Sequence, residues 1–363
     1  MGAVMHTLNL RLSAEQAVFI INHAEDKVIF VDASVAPMLA QYLPSTPGVQ
    51  HVVVVNGPVE ALEAPAGITV HAFDELIAGE PTVYDWPEID ERSAAVMCYT
   101  SGTTGDPKGV VYSHRSIYLH SLFGTSTTGL ALSNRDTVLA IVPMFHVMSW
   151  GLPYAALFCG ASIVNPDRFL QPEPLLAMLA EAQCTLAAAV PTIWSAVAAQ
   201  LQAAPQDISH LREVIVGGSA VPPAMIHQFD EFGAPITHAW GMTETSPLGS
   251  IARVPVNVTD PDEAFAYRVT QGRFPAPVAA RIIGDDDQPL PWDNEAVGEL
   301  EVSGPWITGA YYDPAGNVAD QAKFHDGWLR TGDVAKVSPN GFMTIVDRAK
   351  DLIKTGGEWI SSV

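Results

Sequence analysis

The sequence predicts an α/β fold of layered, mainly parallel sheets joined to a smaller β-rich subdomain, and three observations lead there. Amphipathic helical stretches alternate with short apolar runs of strand type through 13–55 and again through 137–240, with short connections between them. Glycine-bearing segments follow several of these runs, at the places where a ligand can come close to the main chain. From Ile251 onward the pattern changes to short strands separated by turns, as in a small β-barrel or sheet. At 363 residues the chain exceeds one ordinary core and can hold two or three packed subdomains.

In chain order, Ser13 is a suitable N-cap for an amphipathic helix over 13–24, with Glu15 in its first turn. Strand-like runs at 27–32 and 51–55 flank a second helical stretch. The Pro- and Gly-bearing region 57–90 has weak periodicity and is expected to cross between two layers. An apolar strand at 94–99 precedes a glycine-rich turn, after which 113–122 continues as helix. Strands are expected at 137–142, 161–164, 186–190, 211–216 and 236–240, with helices at 172–181 and 192–202. The β-rich part follows with 271–273, 278–283 and 298–303.

Composition narrows the function. The 18 Lys and Arg against 40 Asp and Glu give a formal charge of −22, which argues against nucleic-acid partners and anionic membranes. A site for an anionic ligand must then be locally positive. Cys98, Cys159 and Cys184 lie in mostly apolar surroundings without CxxC spacing, the pattern of reduced thiols in the cytoplasm. No signal peptide and no integral membrane segment is evident; the most apolar long stretch, 175–201, carries Glu181, Gln183 and Pro191.

The organising segment is 99–109, Tyr-Thr-Ser-Gly-Thr-Thr-Gly-Asp-Pro-Lys-Gly. Its hydroxyls, its glycines and the mobile charge of Lys108 suit a polyphosphate better than a single carboxylate. It is not a P-loop, because Pro107 precedes Lys108 and Gly109 follows it. Further on, the run from Pro143 through His146 to Trp150 stands at a strand end, Gly217-Gly218-Ser219 lets a flat ring approach the backbone, and Trp240 offers a stacking surface. Glu244 is a carboxylate, the kind of hard oxygen ligand that Mg²⁺ takes beside phosphates, and taken singly it reads equally as a solvated charge. The acidic run Asp285-Asp286-Asp287 reads as a solvated hairpin tip rather than a metal cluster.

The loop 99–109 resembles, almost residue for residue, the signature loop of the adenylate-forming enzymes, the superfamily of acyl-CoA synthetases, luciferases and peptide-synthetase adenylation domains. Four partner motifs occur in that family's order. The form Pro143-Met144-Phe145-His146…Trp150 is similar to bacterial medium- and long-chain fatty acyl-CoA synthetases. The resemblance implies a nucleotide set of Thr100, Ser101, Gly102, Thr103, Thr104, Gly105, Lys108, Gly217, Gly218, Ser219, Ala239, Trp240, Gly241, Met242, Thr243, Asp333 and Arg348. It implies catalytic roles for Lys108, Thr243, Glu244 and His146, with Glu244 on Mg²⁺ and Thr243 at the α-phosphate. The substrate set is His146, Trp150 and Gly218, Trp150 acting as a gate to the acyl tunnel, and Lys350 is the hinge pivot. Trp240 departs from the family's usual Tyr, which keeps the stacking surface and loses a hydroxyl.

The same resemblance implies a fold, the large N-terminal domain of that superfamily in incomplete form, divided as a partial first α/β subdomain (1–90), a second (91–250), a small β-rich subdomain (251–346) and a hinge (347–363) leading to a further domain. Relative to the family the chain is expected to be truncated at both ends. The implied activity is ATP-dependent ligation of a fatty acid to coenzyme A through an acyl-adenylate, with ATP, Mg²⁺ and coenzyme A required. Aryl-CoA ligation, fatty acyl-AMP ligation and a non-catalytic nucleotide- or acyl-binding remnant are the alternatives, and the sequence admits a homodimer.

Overall fold

The computed structural model describes residues 1–100, 106–316 and 322–349, and the backbone of 353–355 and 358–360. By its contacts the chain forms two units, 1–113 with 310–319, and 114–309 with 320–363.

In the first unit the helix Ala14–His23 starts from a capping box: Ser13 Oγ accepts from the Gln16 amide, and the Gln16 side chain accepts from the Ser13 amide. Its apolar face buries Ala17, Ile20 and Ile21. Val28–Asp32, His51–Val55 and Thr69–Ala72 make a parallel three-stranded sheet. Ile21, Leu39, Val52 and Val54 sit in its core with Leu43. The strand Thr69–Ala72 corrects the expectation of a plain crossover over 57–90. Thr-Val-His-Ala buries none of its residues and so lacks an apolar signal; main-chain pairing with His51–Val54 recruits it.

The same unit carries a hairpin. Ala94–Tyr99 pairs antiparallel with Gly109–Ser113, and Met5–His6 lies parallel on its other side. The glycine-rich segment therefore joins two antiparallel strands instead of leading directly into a helix, which starts only at His114 and runs to Thr125.

The second unit is organised by one twelve-stranded sheet. Its parallel part has the order Ile236–Gly241, Glu213–Val216, Leu186–Ala189, Thr137–Ala140, Ser162–Val164. The central strands are buried on both faces, and their residues alternate between two cores. Ala187, Ala189, Val214 and Val216 face one core with Trp194 and Phe229, whose rings meet edge to face at 5.6 Å. Leu186, Ala188 and Ile215 face the other, with Leu152 and Ala155 of the helix Leu152–Cys159. Alanines in the strands let the helices approach closely.

Ile236–Gly241 is the seam. It runs parallel to Glu213–Val216 on one side and antiparallel to Leu248–Ile251 on the other, with a register shift between Trp240 and Gly241. Beyond it the sheet is antiparallel through Gly272–Arg273, Phe342–Arg348, Trp328–Val337, Gly298–Ser303 and Ala279–Ile283. The β-rich part is thus hydrogen-bonded to the parallel part, and the contact units do not divide at 250. A third core, with Ile282, Leu300, Trp306, Leu329 and Val337, packs around Trp240. The turn after Ile283 is closed by Gly284 accepting from the Asp287 amide, and the Asp285–Asp287 side chains are exposed.

Trp194 is fully buried and donates its indole N–H to the Ile215 carbonyl at 3.4 Å. Trp194→Ala should cost about 3–5 kcal/mol of stability, read as a lower urea midpoint at unchanged m-value.

Candidate active site

In an open parallel sheet a ligand site forms beyond the carboxyl ends of the strands, where connections diverge. Here a largely apolar cavity lies there, with about 720 Å³ of empty space including its open mouth. Ala188, Ile215, Gly217, Gly218 and the strand segment Ala239–Gly241 line it from the sheet, and Gly124, Leu130, Leu152 and Ala155 from the covering helices and loops. Met242, Pro247 and Leu248 complete the side toward the seam. Gly218 has φ +81, and a Cβ on Gly217 would stand 2.8 Å from the Ala239 carbonyl. Side chains there are excluded by the backbone itself.

Trp150 enters the wall through an uncommon route. Val147, Met148, Ser149 and Trp150 all have positive φ, between 41° and 56°, and Gly151 follows at 71°. This left-handed turn costs about 1–2 kcal/mol per non-glycine residue. It brings Val147 and Trp150 into the lining, and it sets the Trp150 ring 3.5 Å from where a Gly217 Cβ would be and 3.7 Å from that of Gly218. An indole of this chain therefore occupies the approach to the Gly-Gly step. His146, expected beside the substrate carboxylate, is not in the wall: it precedes the left-handed turn, is exposed, and has its ring against Phe145 at 4.8 Å.

A different histidine stands in the lining, one that sequence reasoning missed. His120, on the helix His114–Thr125, is buried, and its Nε2 accepts from the Leu248 amide at 3.3 Å. Burial lowers its pKa to about 4. Nothing in Tyr-Leu-His-Ser separates such a residue from an ordinary helical histidine.

Around Trp240 the geometry is tight. The indole Nε1 donates to Asp333 Oδ2 at 2.8 Å, and Arg348 Nε lies 2.8 Å from Oδ1. A Cβ on Gly249 would stand 2.2 Å from the Trp240 ring, so glycine there makes room for the indole. Asp333 is 2% exposed, and its amide donates to Thr331 Oγ1, which itself donates to the Leu300 carbonyl. Burial raises the Asp333 pKa, opposed by Arg348 and by the Trp240 hydrogen bond. Each carboxylate oxygen keeps a second lone pair for a ligand hydroxyl. The hydroxyl lost with Trp240 is thus replaced by an N–H that fixes the acceptor carboxylate.

Glu244 lies in the turn Thr243–Thr245, 3% exposed, with Lys323 Nζ 3.2 Å from Oε1. The backbone carbonyl of Glu244 accepts from the Thr308 amide, which pins the turn. Lys323 is a second residue without a sequence signal; only the scarcity of cations in an acidic chain makes it notable. Thr243, Met242 and Gly241 are half-buried beside it, and Ser219 is exposed.

In the first unit, the glycine-rich segment is closed at its base. The Thr100 amide donates to the Lys108 carbonyl at 2.9 Å, and the Lys108 amide donates to Thr100 Oγ1 at 3.2 Å. Lys108 Nζ lies 4.9 Å from the Tyr311 ring centroid. Ser101, Gly102, Thr103, Thr104, Gly105 and Lys350 lie outside the described residues. Among the described residues no group of three or more His, Cys, Asp or Glu could hold a metal ion by itself, and no helix is long and apolar enough to cross a membrane.

An apolar cavity at the carboxyl ends of a covered parallel sheet, flanked by a braced carboxylate, defines a ligand-binding α/β protein. Residues 1–312 match the family described as AMP-binding enzyme, and the chain belongs to that family. The chain is 43% identical over 366 residues to a 3-methylmercaptopropionyl-CoA ligase of Ruegeria pomeroyi, covering all of this chain and 67% of that one. It is 42% identical over 369 residues to a medium-chain-fatty-acid–CoA ligase of Ectopseudomonas oleovorans, covering all of this chain and 66% of the relative. The chain spans about two thirds of the length of these relatives. Among solved structures, an anthranilate CoA ligase in complex with anthranoyl-AMP superposes with a TM-score of 0.85 at 23% identity, over 99% of this chain and 66% of that one. An O-succinylbenzoate coenzyme A synthetase from Bacillus subtilis, in complex with ATP and magnesium ion, superposes at 0.76 and 24% identity, over 98% and 66%. The fold is that of the adenylate-forming ligases.

Two measurements bear on this site. His120 has its ordinary pKa of 6.5 when unfolded and about 4 when folded, so its contribution is fully present above pH 6.5 and is lost as pH falls toward 4. Up to about 3 kcal/mol of stability should disappear across that window, and His120→Phe should lose correspondingly less in urea unfolding at pH 7 and pH 4.5. Trp240→Phe, which keeps a ring and removes the N–H to Asp333, should weaken nucleotide binding about tenfold by isothermal titration calorimetry.

Proposed function

We propose that this protein is the nucleotide- and acyl-binding core of an ATP-dependent acid–thiol ligase acting on fatty acids of medium length. The observation that carries this reading is the apolar cavity that reaches the Trp240 strand end, where Asp333 is braced by an indole and a guanidinium. Within the wall, Gly124, Ala155 and Ala188 leave room that an alkyl chain can fill. The names of the relatives, from 3-methylmercaptopropionyl-CoA ligase to medium-chain-fatty-acid–CoA ligase, bracket a small unbranched acyl group. Cys98 and Cys184 are buried and form no disulfide among the described residues, which suits a reducing compartment such as the cytoplasm.

The roles follow from the side chains. A carboxylate oxygen of the acid attacks the α-phosphorus of ATP, the bond to the bridging oxygen breaks, and pyrophosphate leaves; coenzyme A thiol then displaces AMP from the acyl-adenylate. The protein's part in the first step is positioning and charge compensation. Asp333 accepts from ribose hydroxyls, since an ionised carboxylate is acceptor-only, and Arg348 holds it and faces the nucleotide. Lys108 and the hydroxyls of Thr100, Ser101, Thr103 and Thr104 bear the phosphates, and Thr243 the α-phosphate. Glu244, a buried carboxylate held by Lys323, would hold Mg²⁺, which binds proteins through one or two carboxylates plus substrate phosphates and would there neutralise phosphate charge. Trp150 lies against the Gly217-Gly218 step in the cavity wall, and as a gate it would open or close the acyl site by moving.

ATP–pyrophosphate exchange with a panel of fatty and aromatic acids, on the full-length protein, tests the reading. Exchange should respond to medium-chain fatty acids above aromatic acids, and Glu244→Gln should lower Mg²⁺-dependent exchange at least about a hundredfold. No exchange with any acid, while ATP still binds, would replace the ligase by a nucleotide-binding remnant.

A further inference from the structure

The cavity wall is apolar except at one place. His120 is the single ionisable side chain in its lining, 7% exposed, and only half of its hydrogen-bonding capacity is used. Nε2 accepts the Leu248 amide proton, which leaves the ring proton of the neutral imidazole on Nδ1. Nδ1 has no hydrogen-bond partner among the described residues, whereas the other face of the ring meets Trp306 edge-on at 5.9 Å. The ring belongs to the cavity wall. Gly151, itself part of the lining, has φ +71, and a Cβ there would stand 2.9 Å from Nδ1 and 2.7 Å from Cε1. Only glycine at that position leaves the imidazole where it stands.

A buried N–H without an acceptor is unfavourable, and a ligand that supplies the acceptor recovers that loss. A purely hydrocarbon chain cannot do so. The geometry points to an acyl substrate that carries a hydrogen-bond acceptor oxygen, as a ketone, ether or hydroxyl, at one set distance from its carboxylate, with His120 Nδ1–H as the specificity-determining donor. This rests on the acyl-activating reading above and assigns the class of acid within it. A site made to hydrogen-bond a substrate discriminates more sharply by placement of the polar atom than a hydrophobic pocket does by one methylene.

Positional isomers separate the hydrogen bond from general polarity, because 4-, 5- and 6-oxoheptanoate have nearly the same hydration. Initial rates of adenylate formation by the full-length enzyme should give one isomer a kcat/KM about tenfold above the other two. In His120→Phe, which keeps a ring and loses the donor, that preference should vanish while heptanoate gains on all three. His120→Gln, which restores an N–H, should return part of it. A flat series in the wild-type enzyme overturns the inference without any variant, so a His120→Phe protein that fails to fold does not shield it. An isomer preference that persists in a folded His120→Phe overturns it equally. In both cases the ligase reading stands, since the acids are turned over; absence of turnover with heptanoate and with all three isomers removes the ligase reading itself.

Discussion

The hydrogen bond from Trp240 Nε1 to Asp333 is the contact on which the second unit turns. Trp240 lies near the end of the last parallel strand, and Asp333 lies in Trp328–Val337, four strands further along the sheet. One bond therefore fixes the distance between two halves of a sheet that follow different pairing rules. Its consequences run outward. The indole needs Gly249 beneath it, the carboxylate needs Thr331 and Arg348 around it, and the register shift after Trp240 turns Gly241 and Met242 toward the cavity. A bulge beside a binding site commonly re-aims side chains in this way.

Charge is distributed with similar economy. The chain has 18 Lys and Arg, and among the described residues six of them are paired with five buried carboxylates: Arg212 with Asp136, Arg212 and Arg253 with Glu213, Lys323 with Glu244, Arg281 and Arg330 with Glu301, and Arg348 with Asp333. A buried carboxylate is tolerable only when it is paired and hydrogen-bonded. Glu213, at the start of its strand, and Glu301, within Gly298–Ser303, each face two arginines and serve the framework. Glu244 and Asp333 each have a cation close by and stand near the cavity, so these buried acids are offset there instead of adding net negative charge beside it.

Much of the fold was legible because period and burial agree. The helix Pro172–Glu181 and the strand Gly298–Ser303 coincide with the sequence expectation, and the central strands announce themselves as apolar runs because both their faces are covered. Thr69–Ala72 and Gly109–Ser113 did not, the first because it buries nothing, the second because its glycine start merges with the loop before it. Of the candidate site, Trp240, Glu244, Asp333 and Arg348 are singled out in the sequence by motifs. His120 and Lys323 were not, since their meaning comes from what long-range folding sets beside them, Leu248 and Gly151 in one case, Glu244 in the other.

The left-handed turn 147–151 has a consequence for anyone redesigning this protein. Val, Met, Ser and Trp all occupy backbone conformations that glycine would adopt without strain. Glycine there would still empty the interior, because Val147 and Met148 are buried, and it would strip Val147 and Trp150 from the cavity wall. Relief of this backbone and retention of its side chains pull in opposite directions.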